Sequence, residues 1–156
     1  MATYQFKRSQ HVHATIDDVW DFISSPANLK EITPDHMGFD ITSGDLPEKM
    51  YPGMIISYKV SPLLGIKMNW VTEIKNVVDR SFFIDEQRVG PYAMWHHQHH
   101  IEASGNETMM HDIITYTPPM GFLGSVANTL FIKKNLNEIF DYRRVALTKR
   151  FPGNID

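Results

Sequence analysis

At 156 residues the chain has the ordinary length of one domain, which we expect to span residues 1–156 and to bury a core without disulfides, metals or a partner chain. Its 42% hydrophobic and 21% charged residues are near the globular average and argue against disorder. The formal net charge of -3 supplies no broad positive field for a phosphate backbone, so we expect no nucleic acid partner.

The chain contains no cysteine, which excludes a disulfide framework, a thiolate nucleophile and a cysteine-bound metal. No stretch approaches the roughly 18 apolar residues of a membrane span, and the first ten residues lack the apolar run of a signal peptide. Cysteine-free sequences suit a reducing compartment, so we expect a soluble, cytoplasmic protein.

The first third of the chain predicts one strand and two short helices. Residues 4–13 alternate polar and apolar side chains, which favours a strand. Thr15 with Asp18 resembles a capping box, and the helix that it starts should end before Pro26. A short second helix is expected over 27–32. Residues 33–53 are rich in proline and glycine and predict a loop with one short strand, at 39–42.

The remainder predicts an antiparallel meander followed by a long helix. Turn residues separate five strand-like segments, at 54–60, 67–78, 81–89, 93–104 and 107–117. After Pro118 and Pro119, apolar residues recur at helical spacing from about Gly121 to Arg150. Because one helix cannot fill the concavity of a strongly bent sheet, we expect an α+β fold with an internal cavity between a curved sheet of six to seven strands and this C-terminal helix.

One region of sequence resembles a known superfamily. It reads Phe83-x-Asp85-Glu86-Gln87-x-x-Gly90-Pro91-Tyr92-x-x-Trp95-x-His97-x-His99 and is followed by Asp112-x-x-x-Tyr116-x-x-Pro119 and by Phe140-x-Tyr142-Arg143. These residues and the element order resemble the START-like, birch-pollen-allergen-like helix-grip superfamily, also called SRPBCC. They look like a bacterial branch that includes proteins labelled polyketide cyclase/dehydrase or cell division inhibitor. The resemblance implies the helix-grip fold and leaves the function open among lipid carriers, receptors, cyclases and oxygenase subunits.

Turn lengths predict how the last two strands pair. A two-residue turn at 105–106 places His99 opposite Asp112 and Trp95 opposite Tyr116. Strand side chains alternate between the two faces, so all four share one face of the sheet.

The two preceding hairpins extend the same face. A three-residue turn at 90–92 places Asp85 opposite His97 and Gln87 opposite Trp95. A two-residue turn at 79–80 extends the pairing to the strand before. It places Ile74 opposite Asp85, Thr72 opposite Gln87 and Asn76 opposite Phe83. This face carries the large apolar groups and is therefore the expected inner face. The opposite face carries charged residues and includes His96 and His100, which we expect to be solvated.

Three interpretations of the inward pairs Asp85/His97 and His99/Asp112 remain open. They could form a structural polar network, orient the head group of a ligand, or act in acid–base catalysis or metal binding. Two histidines and two aspartates suit zinc or iron, but neighbouring strands do not by themselves make ligands converge, so we expect no metal and no other cofactor.

The function favoured by the sequence is binding or transport of a small hydrophobic or amphipathic ligand. The alternatives are a cyclase/dehydratase-like enzyme that uses His97, His99, Asp85 or Asp112 in acid–base chemistry, and a regulatory protein-interaction module. The Leu63-Leu64 turn leaves membrane contact, a cavity gate or a dimer contact open, and the oligomeric state is not specified. Arg143 and Arg144 are expected to be surface or capping groups rather than an anion site. The expected ligand-binding residues are Trp70, Thr72, Phe83, Asp85, Gln87, Trp95, His97, His99, Asp112, Tyr116, Leu123 and Leu130.

Overall fold

A computed structural model describes residues 2–63, 65–119, 126 and 131–153. The strands in these ranges are β1 (Tyr4–Val12), β2 (Asp40–Ile41), β3 (Ile55–Leu63), β4 (Ile66–Val78), β5 (Phe82–Val89), β6 (Met94–Ser104) and β7 (Glu107–Thr117). The α-helices are α1 (Ile16–Ile23) and α2 (Lys133–Arg150), and two 3-10 helices span Pro26–Lys30 and Asp35–Met37. The described part of the chain contains no helix that is long and apolar enough to cross a membrane.

All seven strands belong to one antiparallel sheet, in the order β1-β7-β6-β5-β4-β3-β2. The first strand therefore pairs with the last, and α1 and the two 3-10 helices lie between β1 and β2 in sequence. This arrangement confirms the predicted α+β, helix-grip architecture. The start of the predicted C-terminal helix, with Leu123 and Leu130, and the side chains of the Leu63-Leu64 turn lie outside the described residues.

Helix α1 begins and ends where its sequence predicts. Thr15 adopts an extended backbone, and its hydroxyl oxygen accepts a hydrogen bond from the Asp18 amide at 3.2 Å. This bond satisfies one of the donors left free in a first helical turn. The helix buries Val19, Trp20 and Phe22 in a core that also includes side chains of the sheet.

The predicted strand register is confirmed around the central strands. His99 pairs with Asp112, Trp95 with Tyr116, and Asp85 with His97. The pairing of β5 with β6 ends at Glu86 and His96, so the expected pair of Gln87 with Trp95 is not formed.

The predicted two-residue turn between β4 and β5 is wrong. Val78 pairs with Phe82, which leaves three residues in the turn, and Arg80 in the middle has a φ of 55°. Asn76 consequently faces Ile84 instead of Phe83. A β-bulge between Ile74 and Asn76 then absorbs the extra residue, so Ile74 still pairs with Asp85 and Thr72 with Gln87 as predicted.

The core has two parts that meet at the concave face of the sheet. One part packs α1 and the end of α2 against Ile74, Phe83 and Met110. The other packs the first turns of α2 against β3, β4 and β7 and includes Trp70, Tyr92 and Phe140 among its aromatic side chains. Space remains between these two parts, and the candidate site lies there.

Candidate functional site

A cavity of about 140 Å³ lies between the concave sheet face and α2. An apolar cavity of roughly 150 Å³ is large enough to hold benzene. The cavity wall comes from the loop after α1, from β3 to β7 and from α2. Its residues are Leu29, Thr33, Met37, Phe39, Met50, Ile56, Tyr58, Val60, Pro62, Trp70, Thr72, Ile74, Asp85, Tyr92, Trp95, His97, His99, Ile114, Asn135, Leu136, Ile139, Phe140 and Arg143.

The sequence-predicted site residues divide into three groups. Those that contribute to the cavity wall are Trp70, Thr72, Asp85, Trp95, His97 and His99. Those that lie next to the wall without forming it are Phe83, Gln87, Asp112 and Tyr116. Leu123 and Leu130 lie outside the described residues. The expectation that Tyr116 lines the cavity is thus corrected: its ring is buried behind Tyr92 and Trp95.

Gln87 supports the cavity wall from behind. Its side-chain Nε2 donates to the Tyr92 carbonyl at 2.7 Å, and its Oε1 accepts from the Tyr92 amide at 3.2 Å. The two bonds close the loop between β5 and β6 and hold the Tyr92 ring in the wall. We therefore correct the expected ligand-binding role of Gln87 to the positioning of Tyr92.

One wall of the cavity is aromatic. Trp70 lies at its centre, with ring centroids 6.1 Å from Tyr58, 5.8 Å from Tyr92 and 5.4 Å from Trp95. Phe39 extends the group at 4.6 Å from Tyr58. Offset and edge-to-face contacts of this kind fix ring orientations and favour flat or apolar guests. The wall could have been anticipated for Tyr58, which has the same parity on β3 as the buried Ile56 and Val60, but Phe39 lies in a loop that has no periodic pattern.

A buried polar cluster forms the other side of the cavity. It consists of Asp85, His97, His99, Asp112 and Arg143. The strand register is as predicted, and one of the two expected pairs forms, with His99 Nδ1 3.1 Å from Asp112 Oδ1. The shorter contacts run diagonally: His97 Nε2 is 2.8 Å from Asp112 Oδ1, and His99 Nε2 is 2.7 Å from Asp85 Oδ2. The expected hydrogen bond between Asp85 and His97 is corrected, because His97 Nδ1 lies 3.7 Å from Asp85 Oδ2.

Arg143 is a buried member of this cluster. Its side chain is only 11% exposed, and its Nη1 donates to Asp112 Oδ1 at 3.2 Å. Its guanidinium carbon lies 4.6 Å from the centre of the Phe140 ring. The expected surface or capping role of Arg143 is therefore wrong. Helical spacing could have corrected it, because Arg143 follows Leu136 and Phe140 by seven and three residues on the buried face of α2.

The geometry of His99 requires a protonated ring. Nε2 lies 2.7 Å from Asp85 Oδ2, and Nδ1 lies 3.1 Å from Asp112 Oδ1. Ionised carboxylates only accept hydrogen bonds, so both ring nitrogens must donate. Burial by itself lowers the pKa of His99, but the hydrogen bonds to Asp112 and Asp85 outweigh burial, and the pKa is raised. The two donated hydrogen bonds and the raised pKa both favour the imidazolium form of His99.

His97 is the neutral imidazole of the pair. Burial, and then the charge of His99, lower the pKa of His97 to about 4. Its Nε2 donates to Asp112 Oδ1, which leaves Nδ1 with a lone pair, and the nearest carboxylate oxygen, Asp85 Oδ2, is 3.7 Å from Nδ1. That separation is too long for a hydrogen bond, and neither atom would have a proton to donate. Two acceptors thus face each other beside the cavity.

Both carboxylates of the cluster are ionised. Burial raises the pKa of Asp112, but Arg143 and the two imidazoles outweigh it and hold this pKa well below its usual range. For Asp85 burial is likewise outweighed, by the hydrogen bond from His99 and the neighbouring positive charges, and the pKa is lowered. Two negative and two positive charges therefore balance around a neutral His97, which limits the cost of burying them.

Asp85, His97 and His99 place one potential metal-ligand atom each within 4.8 Å of one another. A metal ion there would need an unprotonated nitrogen on His99, and both of its nitrogens donate to carboxylates. It would also add positive charge to a cluster that Arg143 already balances. The hydrogen bonds of this cluster therefore do not favour a metal.

No protein-family model matches the sequence, and no significant match to a curated protein was found. Solved structures do match. Protein Ms6760 from Mycobacterium smegmatis is 15% identical, with a TM-score of 0.66 over 94% of this chain and 92% of that one. The major latex-like protein 151 from Panax ginseng is 10% identical, with a TM-score of 0.67 over 96% and 97%. Ara h 8.0201 is 11% identical, with a TM-score of 0.60 over 95% and 99%. At such identities the likeness concerns the fold, and the fold that it shows is the helix-grip fold.

Proposed function

We propose that this helix-grip protein binds a small, mainly apolar aromatic ligand whose polar end carries a hydrogen-bond donor. The observation that carries the proposal is the pairing of an aromatic cavity wall with two acceptors that lie 3.7 Å apart, the lone pair of His97 Nδ1 and Asp85 Oδ2, of which Asp85 Oδ2 also accepts from His99 Nε2. A hydroxyl or N–H group placed between them donates to one or both acceptors. Ligand pockets commonly combine apolar walls with a few such polar groups.

The size of the cavity supports a ligand with one or two rings. Its volume of about 140 Å³ is close to that of a cavity that holds benzene. Trp70 and Tyr58 stack with an interplanar angle of 14°, and they offer a flat apolar surface to a planar molecule. A phenol or an indole satisfies both the shape and the single donor.

The same cluster is less suited to acid–base catalysis. General bases work best when their pKa lies near the working pH, and the pKa of His97 is lowered to about 4. Hydrogen bonds to two carboxylates hold the proton of His99 and raise its pKa, so His99 is a weak acid. These directions support binding over the cyclase/dehydratase alternative.

A matched pair of probes tests the proposal. Phenol and toluene have similar shapes, but only phenol has a donor. We expect calorimetric titration to show that phenol binds at least as tightly as toluene, although toluene is the more hydrophobic molecule. A His97→Leu variant removes one acceptor without changing the charge of the cluster, and it should reverse this preference by about threefold to tenfold, the worth of one hydrogen bond.

Occupancy of the cavity itself needs a separate control. Ile139→Trp fills the cavity from α2 and should abolish binding of both probes, whereas Val145→Trp, at a position 59% exposed on the same helix, should leave binding unchanged. If neither probe binds the parent protein, the binding proposal fails. If toluene is preferred in the parent, the cavity binds apolar molecules and the role of the two acceptors is refuted.

A further inference from the structure

A second group of side chains that could hold a metal ion lies outside the cavity lining, where the end of β1 meets the start of β7. His11 ends β1 together with Val12, His13 follows directly, and Glu107 begins β7. The β1 register pairs Val12 with Thr108, so position 13 lies opposite Glu107. Because side chains alternate along a strand, His11 and His13 project from the same face.

The three side chains converge on a common point. His11 Nε2 lies 3.0 Å from Glu107 Oε2, and His13 Nδ1 lies 2.6 Å from Glu107 Oε1. The two imidazole rings are 5.4 Å apart and nearly perpendicular, at 88°. One ligand atom from each residue lies within 4.8 Å of the others. Each carboxylate oxygen thus serves one histidine.

We propose that His11, His13 and Glu107 form a binding site for one Zn²⁺ ion. Two imidazole nitrogens and one carboxylate oxygen are ligands that zinc accepts at about 2.0 to 2.2 Å, which places ligands of a tetrahedral ion about 3.3 Å apart. The two nitrogen–oxygen separations of 3.0 and 2.6 Å are near this value, and no two ligand atoms of the group are more than 4.8 Å apart. His11 would coordinate through Nε2 and His13 through Nδ1, and water completes the coordination.

The side chains of the site are open to solvent, and the backbone that carries them is held in place, so the site suits an ion that arrives from solution. The side chains of His11, His13 and Glu107 are 38%, 44% and 37% exposed, so an ion reaches them without unfolding. The backbone around them is held: Thr108 Oγ1 donates to the Ala14 carbonyl at 2.9 Å, and His13 forms an isolated bridge with Pro152. The ligands therefore come from an ordered strand end.

The site differs from the cavity cluster in the positive charges and hydrogen bonds that would oppose a zinc ion. In the cavity, Arg143 and a doubly bonded His99 oppose an ion, whereas the described contacts of Glu107 involve only the two histidines and no lysine or arginine. Removal of the proton that either histidine shares with Glu107 leaves a free nitrogen for the metal. A bound ion would fasten the edge strand β1 to β7.

The test is calorimetric titration of Zn²⁺ into the tag-free protein and its variants. We expect one ion per chain, and we expect His11→Gln, His13→Gln and Glu107→Gln each to weaken binding by at least about tenfold, since even outer partners of metal ligands contribute about 10- to 100-fold. The matched controls are His111→Gln, an outward-facing histidine of β7, and His97→Gln in the cavity, and both should leave the Zn²⁺ affinity unchanged.

Two results would overturn the proposal. One is unchanged Zn²⁺ affinity in His11→Gln or His13→Gln, which would show that these imidazoles only form ion pairs with Glu107. The other is loss of binding in His97→Gln, which would place the ion in the cavity. Because the three proposed ligands are all more than one third exposed, their variants should fold, and the circular dichroism spectrum of each variant verifies this.

Discussion

The two buried histidines of the polar cluster should give opposite pH dependences of stability. The pKa of His97 is about 4 in the folded chain, against an ordinary value of 6.5. A lowered histidine pKa means that its contribution to stability is present above pH 6.5 and is lost as the pH falls towards 4. Between pH 7 and pH 5 the unfolded chain takes up a proton at this side chain that the folded chain does not, which costs about 2 kcal/mol.

The substitution His97→Gln removes this proton uptake. Its destabilising effect should therefore be about 2 kcal/mol smaller at pH 5 than at pH 7, whatever its absolute size. Urea unfolding followed by tryptophan fluorescence at both pH values measures the difference, and ionisations elsewhere in the chain cancel between parent and variant. An equal cost at pH 5 and pH 7 would refute a buried, neutral His97.

His99 supplies the internal control because its pKa shift has the opposite sign. Its pKa is raised, so its contribution is fully present below pH 6.5 and is lost as the pH rises through the folded pKa. The cost of His99→Gln should accordingly be greatest at pH 5 to 6 and decline towards pH 9. If both variants responded to pH in the same direction, the assignment of one neutral and one protonated ring would be wrong.

Three further substitutions test other parts of the site. Asp112→Asn leaves an unbalanced positive charge and should cost about 3 to 5 kcal/mol in urea unfolding, and a loss below 1 kcal/mol would contradict the charge balance. Gly90→Ala places a Cβ against the Gln87 side chain, so it should displace the loop that holds Tyr92 and weaken phenol binding in calorimetry. Tyr58→Phe should cost about 1 kcal/mol of stability, through one lost hydrogen bond, and leave the preference for phenol over toluene intact.

Much of the sheet could be predicted because hairpin turns determine register locally. Gly105, with a φ of 64°, occupies the two-residue turn that fixes β6 against β7, and every pair predicted there is formed. The turn between β4 and β5 shows the limit of this reasoning. Arg80 adopts a positive φ that its residue type disfavours, which lengthens the turn by one residue, and only the bulge near Asn76 restores the predicted alignment at Asp85.

The cavity wall was less predictable than the sheet because it depends on how separate elements dock. Strand parity placed Trp70, Trp95 and the two inward histidines correctly on the concave face. The loop residues that complete the wall, such as Met37 and Phe39, follow no period that reveals their direction. Their positions result from packing against Tyr58 and its neighbours.

The polar cluster shows what charge balance adds to register. Register places Cα atoms opposite one another and so predicted the contact of His99 with Asp112. An imidazole is also long enough to reach a carboxylate on the diagonal, so the bonds from His97 to Asp112 and from His99 to Asp85 could not be read from strand pairing. Two buried carboxylates need two positive charges to balance them. If His97 and His99 were both protonated, their rings, with centroids 3.6 Å apart, would repel each other. A further cation was therefore required, and Arg143, the arginine on the buried face of α2, supplies it.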